Sequence, residues 1–194
     1  MSEETQSHKV EGLIYLVLFA ACIPLANWLI GNVGVVCVLE GPCLVPVWPG
    51  ISAPSGVLVI GIALVLRDLV QRRLGLKWAL AAIAGGSALS GLFAPPALVV
   101  ASVAAFAVSE TADLLVFTPL QKRGLVLAVM ASGAVGLAVD SVLFLTLAFG
   151  SLEYLGGQML GKTWGILAAL PLVLLFRYRD NEPQRLLTPP SLGK

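Results

Sequence analysis

Apolar residues in this chain fall in long, nearly unbroken runs, not in the narrow stripes of a soluble helix or the alternation of a half-buried strand. Six runs, at about residues 13–30, 55–72, 77–93, 97–118, 125–149 and 154–176, are each near the length needed to cross a bilayer core as a helix. Most connections are short and marked by breakers, Pro95-Pro96 before the fourth run and Pro119 to Gly124 before the fifth. The exception is the segment 31–54, which holds Pro42, Pro46, Pro49 and Pro54 together with Cys37, Glu40, Cys43 and Trp48. So many prolines forbid a continuous helix, and the segment is apolar enough to fold back over the bundle as an external lid or re-entrant cap. Residues 1–12 are polar and acidic, and are expected to be mobile ahead of the first span. The predicted fold is an all-α integral membrane protein, one domain over residues 1–194 with six transmembrane helices.

Composition agrees with this reading and narrows it. At 58% hydrophobic and 12% charged residues, with a mean hydropathy of +0.93, the chain is too apolar for a soluble globular domain. A net charge of +1 without a basic stripe argues against nucleic acid as a partner. The placement of the charges says more. Arg67, Arg72, Arg73 and Lys77 lie at the second junction, Lys122 and Arg123 at the fourth, and Arg177, Arg179, Arg185 and Lys194 follow the last run. With Lys9 they fall on one side, while the connections after the first, third and fifth runs hold no Lys or Arg, so both termini are expected to be cytoplasmic. The first apolar run follows Ser2-Glu3-Glu4-Thr5, not a basic segment, and should stay as a helix of a multi-pass protein of the inner membrane.

Against this background the ionisable residues inside the runs stand out, because each costs roughly 2.5 kcal/mol or more unless paired or hydrated. Glu110 and Asp113 share a face of the fourth helix. Asp140 in the fifth and Lys162 in the sixth lie at similar depths from the outer ends of their helices and can meet, with Gln158 one turn before Lys162. Arg67 lies at a depth similar to Glu110, which makes a second pair there. Arg67 and Lys162 then face four carboxylates, Asp68, Glu110, Asp113 and Asp140, so two carboxylates lack a basic partner. That surplus calls for a ligand with donor groups or positive charge, or for a transported proton. Alternatively Asp68 and Asp113 reach the headgroups, and Glu110 belongs to a structural ion pair. Gly157, Gly161 and Gly165 recur every four residues in the last helix and read as a close-packing face, with Gly133 and Gly136 in the fifth serving likewise.

Some apparent chemistry is set aside. Gly156-Gly157-Gln158-Met159-Leu160-Gly161-Lys162-Thr163 fits the phosphate-loop pattern, but it opens a spanning helix on the external side where no strand precedes it. Cys37 and Cys43 can form a disulfide on that side or remain free thiols, and Cys22 would be left over. His8 is the only histidine and the cysteines lack ligand spacing, so no metal site is predicted. No nucleophile has a base beside it. The chain is expected to be neither an enzyme nor dependent on a cofactor.

Several segments together resemble the putative vitamin uptake transporter family, also called queuosine precursor transporters. They are Asn27-Trp28-Leu29-Ile30-Gly31-Asn32, Val36-Cys37 with Gly41-Pro42-Cys43, Leu66-Arg67-Asp68-Leu69-Val70-Gln71, Ser109-Glu110-Thr111-Ala112-Asp113 with Thr118-Pro119-Leu120, Val139-Asp140-Ser141, and Gly157-Gln158 with Gly161-Lys162. The resemblance spans nearly the whole chain, although Gln71 and Arg72 stand where the better-known branch has histidine and glutamate. It implies a six-helix fold like the S components of energy-coupling-factor transporters. It also implies uptake of a 7-deazaguanine, the nitrile preQ0 or the aminomethyl preQ1. The substrate-binding residues would be Glu110, Asp113, Asp140, Gln158, Lys162, Trp164, Asn27 and Arg67, with Trp164, Trp28 or Trp48 as a stacking face. The expected partners are this small molecule, the lipid bilayer, and either further copies of the chain or an energy-coupling module. The competing readings are an S component that depends on a separate ATPase and a membrane scaffold that transports nothing.

Overall fold

Each apolar run becomes a helix, and the breaks fall at glycine and proline. The structure is a computed structural model and describes residues 3–37 and 42–187. In chain order its elements are α1 (Glu3–Asn32), β1 (Val36–Cys37), β2 (Cys43–Trp48), β3 (Ile51–Pro54), α2 (Val57–Leu74), α3 (Leu76–Phe93), a 3-10 turn (Pro96–Leu98), α4 (Val99–Leu120), α5 (Leu125–Phe149) and α6 (Leu155–Leu187). Gly75, at φ 89°, carries the single-residue turn between α2 and α3, a conformation that side-chain-bearing residues resist.

Five of the six α-helices are long and apolar enough to cross a membrane, which makes this a multi-pass membrane protein. The exception is α2, because Arg67, Asp68, Arg72 and Arg73 lie within it. It is nevertheless buried continuously from Ala63 to Gln71 and packs against all five other helices. A helix surrounded in this way must be apolar or paired on every side. Leu64, Val65 and Leu69 enter a core with Phe117, Val129, Ile166 and Val173, while Ala63 and Leu66 enter another with Phe19, Ile23 and Phe106. The remaining face carries Arg67 and Asp68.

The purely helical expectation needs correction over 31–54. α1 continues to Asn32, and the segment beyond it forms a three-stranded antiparallel sheet in the order β1-β2-β3. Prolines do exclude a helix there, but the run from Cys43 to Trp48 is strand-forming, and Gly50 at φ 76° turns it back into β3. Pro46 sits in the central strand beyond the two positions paired with β1, and beside a register irregularity with β3, so its missing N–H removes no bond to β1. Cys37 and Cys43 face each other across β1 and β2 and are joined by a disulfide, with Cα atoms 3.9 Å apart. Glu40 and Gly41 lie outside the described residues.

Both ends of the chain also differ from expectation. Residues from Glu3 onward belong to α1, and Glu11 accepts a hydrogen bond from Arg73 Nε at 2.9 Å while the Arg73 guanidinium lies 3.8 Å from the Phe176 ring centre. That contact ties α1, α2 and α6 at the end opposite the sheet. α4 runs through Pro119 to Leu120, and α6 continues past residue 176 to Leu187. Met1, Ser2 and residues 188–194, Lys194 among them, lie outside the described residues.

The glycine face of α6 is occupied as its spacing predicts. A Cβ on Gly165 would meet the carbonyl of Leu58 and the Cα of Gly61, one on Gly157 the carbonyl of Ser52 in β3, and one on Gly161 the side chain of Val57. The backbones of α2 and α6 therefore touch, and the sheet rests on the first turns of α6.

Candidate functional site

Close approach of α2 to α6, and of α4 to α5, leaves polar side chains no exit to solvent, and they assemble into two clusters. The first is centred on Arg67, which is fully buried. Its Nε donates to Glu110 Oε2 at 3.0 Å, its Nη1 to Gln71 Oε1 at 3.1 Å, and its Nη2 to Asp113 Oδ1. Nη2 also lies 3.0 Å from Asp68 Oδ1. Gln71 passes the chain on to Thr118 Oγ1 at 2.9 Å, and Ser132 of α5 donates to Asp68 Oδ2 at 3.0 Å. The Phe117 ring, 5.9 Å from the guanidinium carbon, closes one side. Buried ion pairs persist only when their donors and acceptors are largely met, and this fork-shaped cation bonds two carboxylates and an amide because its N–H groups point three ways, with Asp68 beside the same Nη2 as Asp113.

The second cluster is centred on Lys162, which is 2% exposed. Its ammonium donates to Asp140 Oδ2 at 2.5 Å, to Gln158 Oε1 at 2.5 Å and to Ser141 Oγ at 2.9 Å, which uses all three of its N–H bonds. The Asp140 side chain is 15% exposed, and its other oxygen has only a 3.4 Å contact with Ser109 Oγ. Lys162, Asp140 and Gln158 line a cavity of about 70 Å3, room for several water molecules, bounded also by Asn27, Ser90, Phe106 and Phe144. Pro54, at the end of β3, belongs to its wall, so the sheet stands over the cavity and not apart from it.

The eight residues singled out from the sequence therefore separate. Asp140, Gln158, Lys162 and Asn27 meet at the cavity, although Asn27 also donates to the Ile23 carbonyl of its own helix at 2.9 Å. Arg67, Glu110 and Asp113 form the other cluster and do not line the cavity. The expectation of one cavity holding Glu110 with Asp140, Gln158 and Lys162 is corrected to this extent, because Arg67 draws Glu110 toward α2. The clusters still adjoin through a single turn of α4, where Ser109 faces Asp140 and Glu110 faces Arg67. Neither Asp68 nor Asp113 reaches an exposed position, since they are 1% and 0% accessible. Trp164 lies outside the cavity, 42% exposed, stacked on Trp48 with ring centres 6.4 Å apart and donating to the Val47 carbonyl at 3.2 Å. Trp28 is 56% exposed, so the aromatic faces at the cavity are Phe106 and Phe144. Sequence reasoning missed these, along with Ser90, Ser132 and Ser141. Ser132 had a usable signal, two turns before Asp140, and Ser141 is next to Asp140 in sequence; Ser90 and the phenylalanines had none within apolar runs.

Residues 87–176, from the second half of α3 to the middle of α6, match the family model described as putative vitamin uptake transporter. No curated protein and no solved structure matches the chain. The matched segment contains Glu110, Asp113, Asp140, Gln158 and Lys162, while α2 with Arg67 and Asp68 precedes it. Across that segment, just under half of its 194 residues, this multi-pass membrane protein is similar to the putative vitamin uptake transporters.

Proposed function

We propose that the chain takes up a 7-deazaguanine precursor of queuosine across the inner membrane, and that the molecule binds at Asp140, Gln158 and Lys162. The observation that carries this reading is the state of Asp140: one oxygen is anchored by Lys162 and the other is turned to the cavity with only a 3.4 Å neighbour. A guanine-type edge offers adjacent N–H donors to such a carboxylate, and each oxygen has lone pairs to spare. Because Gln158 Oε1 is engaged by Lys162, its amide NH2 is left to donate to the ligand carbonyl. Phe106 and Phe144 supply apolar surface for a flat bicycle. The charged pair at the cavity is neutral overall, which favours uncharged preQ0 over cationic preQ1.

The test is ligand-induced stabilisation of the purified protein against preQ0, preQ1, guanine, adenine and a panel of vitamins. preQ0 should raise the melting temperature most, and adenine, which lacks the adjacent donor pair, should not. Asp140→Asn should weaken preQ0 binding by about 1 to 3 kcal/mol, roughly five-fold to over a hundred-fold. Stabilisation by a vitamin and by no deazaguanine would overturn the substrate assignment. Accumulation of preQ0 in liposomes holding this chain alone separates a solitary carrier from an S component that needs an ATPase.

A further inference from the structure

The carboxylate surplus lies around Arg67, away from the cavity, and the hydrogen bonds there do not account for all of it. Asp68 Oδ1 is 3.0 Å from Arg67 Nη2 but misaligned for a hydrogen bond, and Asp113 Oδ2 has no donor at all. Asp113 Oδ2 rests instead against Gly136, where a Cβ would come within 3.0 Å of it. Asp68 and Asp113 are 1% and 0% exposed, and their carboxyl groups converge on a single nitrogen, Arg67 Nη2. Two buried carboxylates that share one donor repel each other, and a proton held between them removes the repulsion and meets an unpartnered oxygen. A metal ion is a poorer occupant. The guanidinium already fills the centre, and among the described residues no group of three or more Asp, Glu, His or Cys is arranged to hold one.

We propose that Asp68 and Asp113 hold one exchangeable proton between them, and that this proton is the coupling ion for transport. The charged groups facing the pair are Arg67 of α2 and, on the same guanidinium, Glu110 of α4. α5 contributes Ser132 and, further along, Asp140, whose partner is Lys162 of α6. With the proton present, the carboxyl groups bond to each other and Arg67 grips Glu110 and Asp113. Its departure leaves two adjacent carboxylates competing for the same Nη2, which pulls the guanidinium off Glu110. Ser109 and Glu110 are consecutive in α4, so that shift reaches Asp140 and the cavity through one helical turn. The coupling half of this proposal rests on the uptake proposed above; the proton site does not.

Two measurements separate them. The first uses no substrate: the melting temperature of the purified full chain is followed between about pH 5 and 8, beside Asp113→Asn and Asp68→Asn. An amide supplies permanently the donor that the proton would supply. The wild type should therefore lose stability relative to both variants as the pH rises and approach them as it falls. Parallel profiles for the wild type and both variants overturn the site. The second places the protein in liposomes with an internal pH dye and adds preQ0 under an acid-outside gradient. The wild type should carry protons with preQ0, while Asp113→Asn binds preQ0 within about two-fold of the wild type but does not accumulate it against a gradient. Uptake unaffected by a protonophore, or lost when choline replaces Na+, overturns the coupling. If preQ0 fails to bind while the pH effect persists, the substrate reading falls and the proton site stands. Should neither variant fold, accumulation by the wild type with and without the protonophore decides alone.

Discussion

At the scale of single residues, Arg67 is held by geometry as much as by charge. Its Nε, Nη1 and Nη2 meet Glu110, Gln71 and Asp113 in directions fixed by a planar fork, and a lysine has one nitrogen at the end of a flexible stem. Arg67→Lys should therefore lose the bonds to at least one of the three. Arg67→Met, which leaves the carboxylates buried together, should cost about 3 to 5 kcal/mol and sharply reduce folded yield. Fluorescence-detected size exclusion of the two variants checks the order, and wild-type yield from Arg67→Met would refute the central role of the guanidinium. Lys162 offers a contrasting case. Its three acceptors come from two helices and all face one ammonium, so Lys162→Met should remove the anchor from Asp140 and abolish ligand binding along with part of the stability.

The helices are spaced by what the glycines leave out. A methyl group on Gly61 would enter the space of the Lys162 carbonyl and the Gly165 Cα, both backbone atoms that cannot swing away. Gly61→Ala should accordingly cost about 1 to 3 kcal/mol by forcing α2 from α6, whereas Gly85→Ala and Gly156→Ala, which meet nothing within 4 Å, should be near neutral. Equal melting temperatures for the three variants would remove the close-packing account. This level was largely legible in the sequence. The apolar run 125–149 coincides with α5 at Leu125–Phe149, because Gly124 and Gly150 mark its ends. The pairing of Lys162 with Asp140 followed from depth counted along two helices. Less legible was the sheet, since alternation over six residues with a proline inside is too short to separate from an irregular cap. The separation of Glu110 from the cavity was not legible at all, because depth fixes height in a bundle but not the direction in which a side chain leaves its helix.

For the whole molecule, the basic residues set the expected orientation. Arg72, Arg73 and Lys77 flank the α2–α3 turn and Lys122 and Arg123 lie between α4 and α5, while the connections α1–α2, α3–α4 and α5–α6 hold no Lys or Arg. By the positive-inside bias a reporter fused after Gly150 should be external and one fused after Lys194 cytoplasmic. Both on the same side would contradict six crossings. With that orientation the Cys37–Cys43 link lies in an oxidising compartment, so mass spectrometry of unreduced protein should recover the two cysteines joined, and Cys22 free to alkylate after unfolding. Alkylation of all three without reductant would contradict it.

The charge carried by α2 also governs the order in which the protein can be made. An insertion machine that meets Arg67, Asp68, Arg72 and Arg73 within eighteen residues faces a segment it would not release into lipid on hydropathy alone, since each arginine near a helix centre adds about 2.5 kcal/mol or more. The groups that neutralise Arg67 are Glu110 and Asp113, separated from it by 43 and 46 positions, so they have not left the ribosome when α2 emerges. The growing chain must hold α2 beside the translocon, against α1 and α3, until α4 arrives. Chains truncated after Phe93 and released from the ribosome should accordingly leave α2 accessible to a membrane-impermeant label, while chains that continue past Leu120 protect it. Translation pauses or substitutions that delay α4 would then harm assembly more than equal changes late in α6, although both helices end up equally part of the finished bundle.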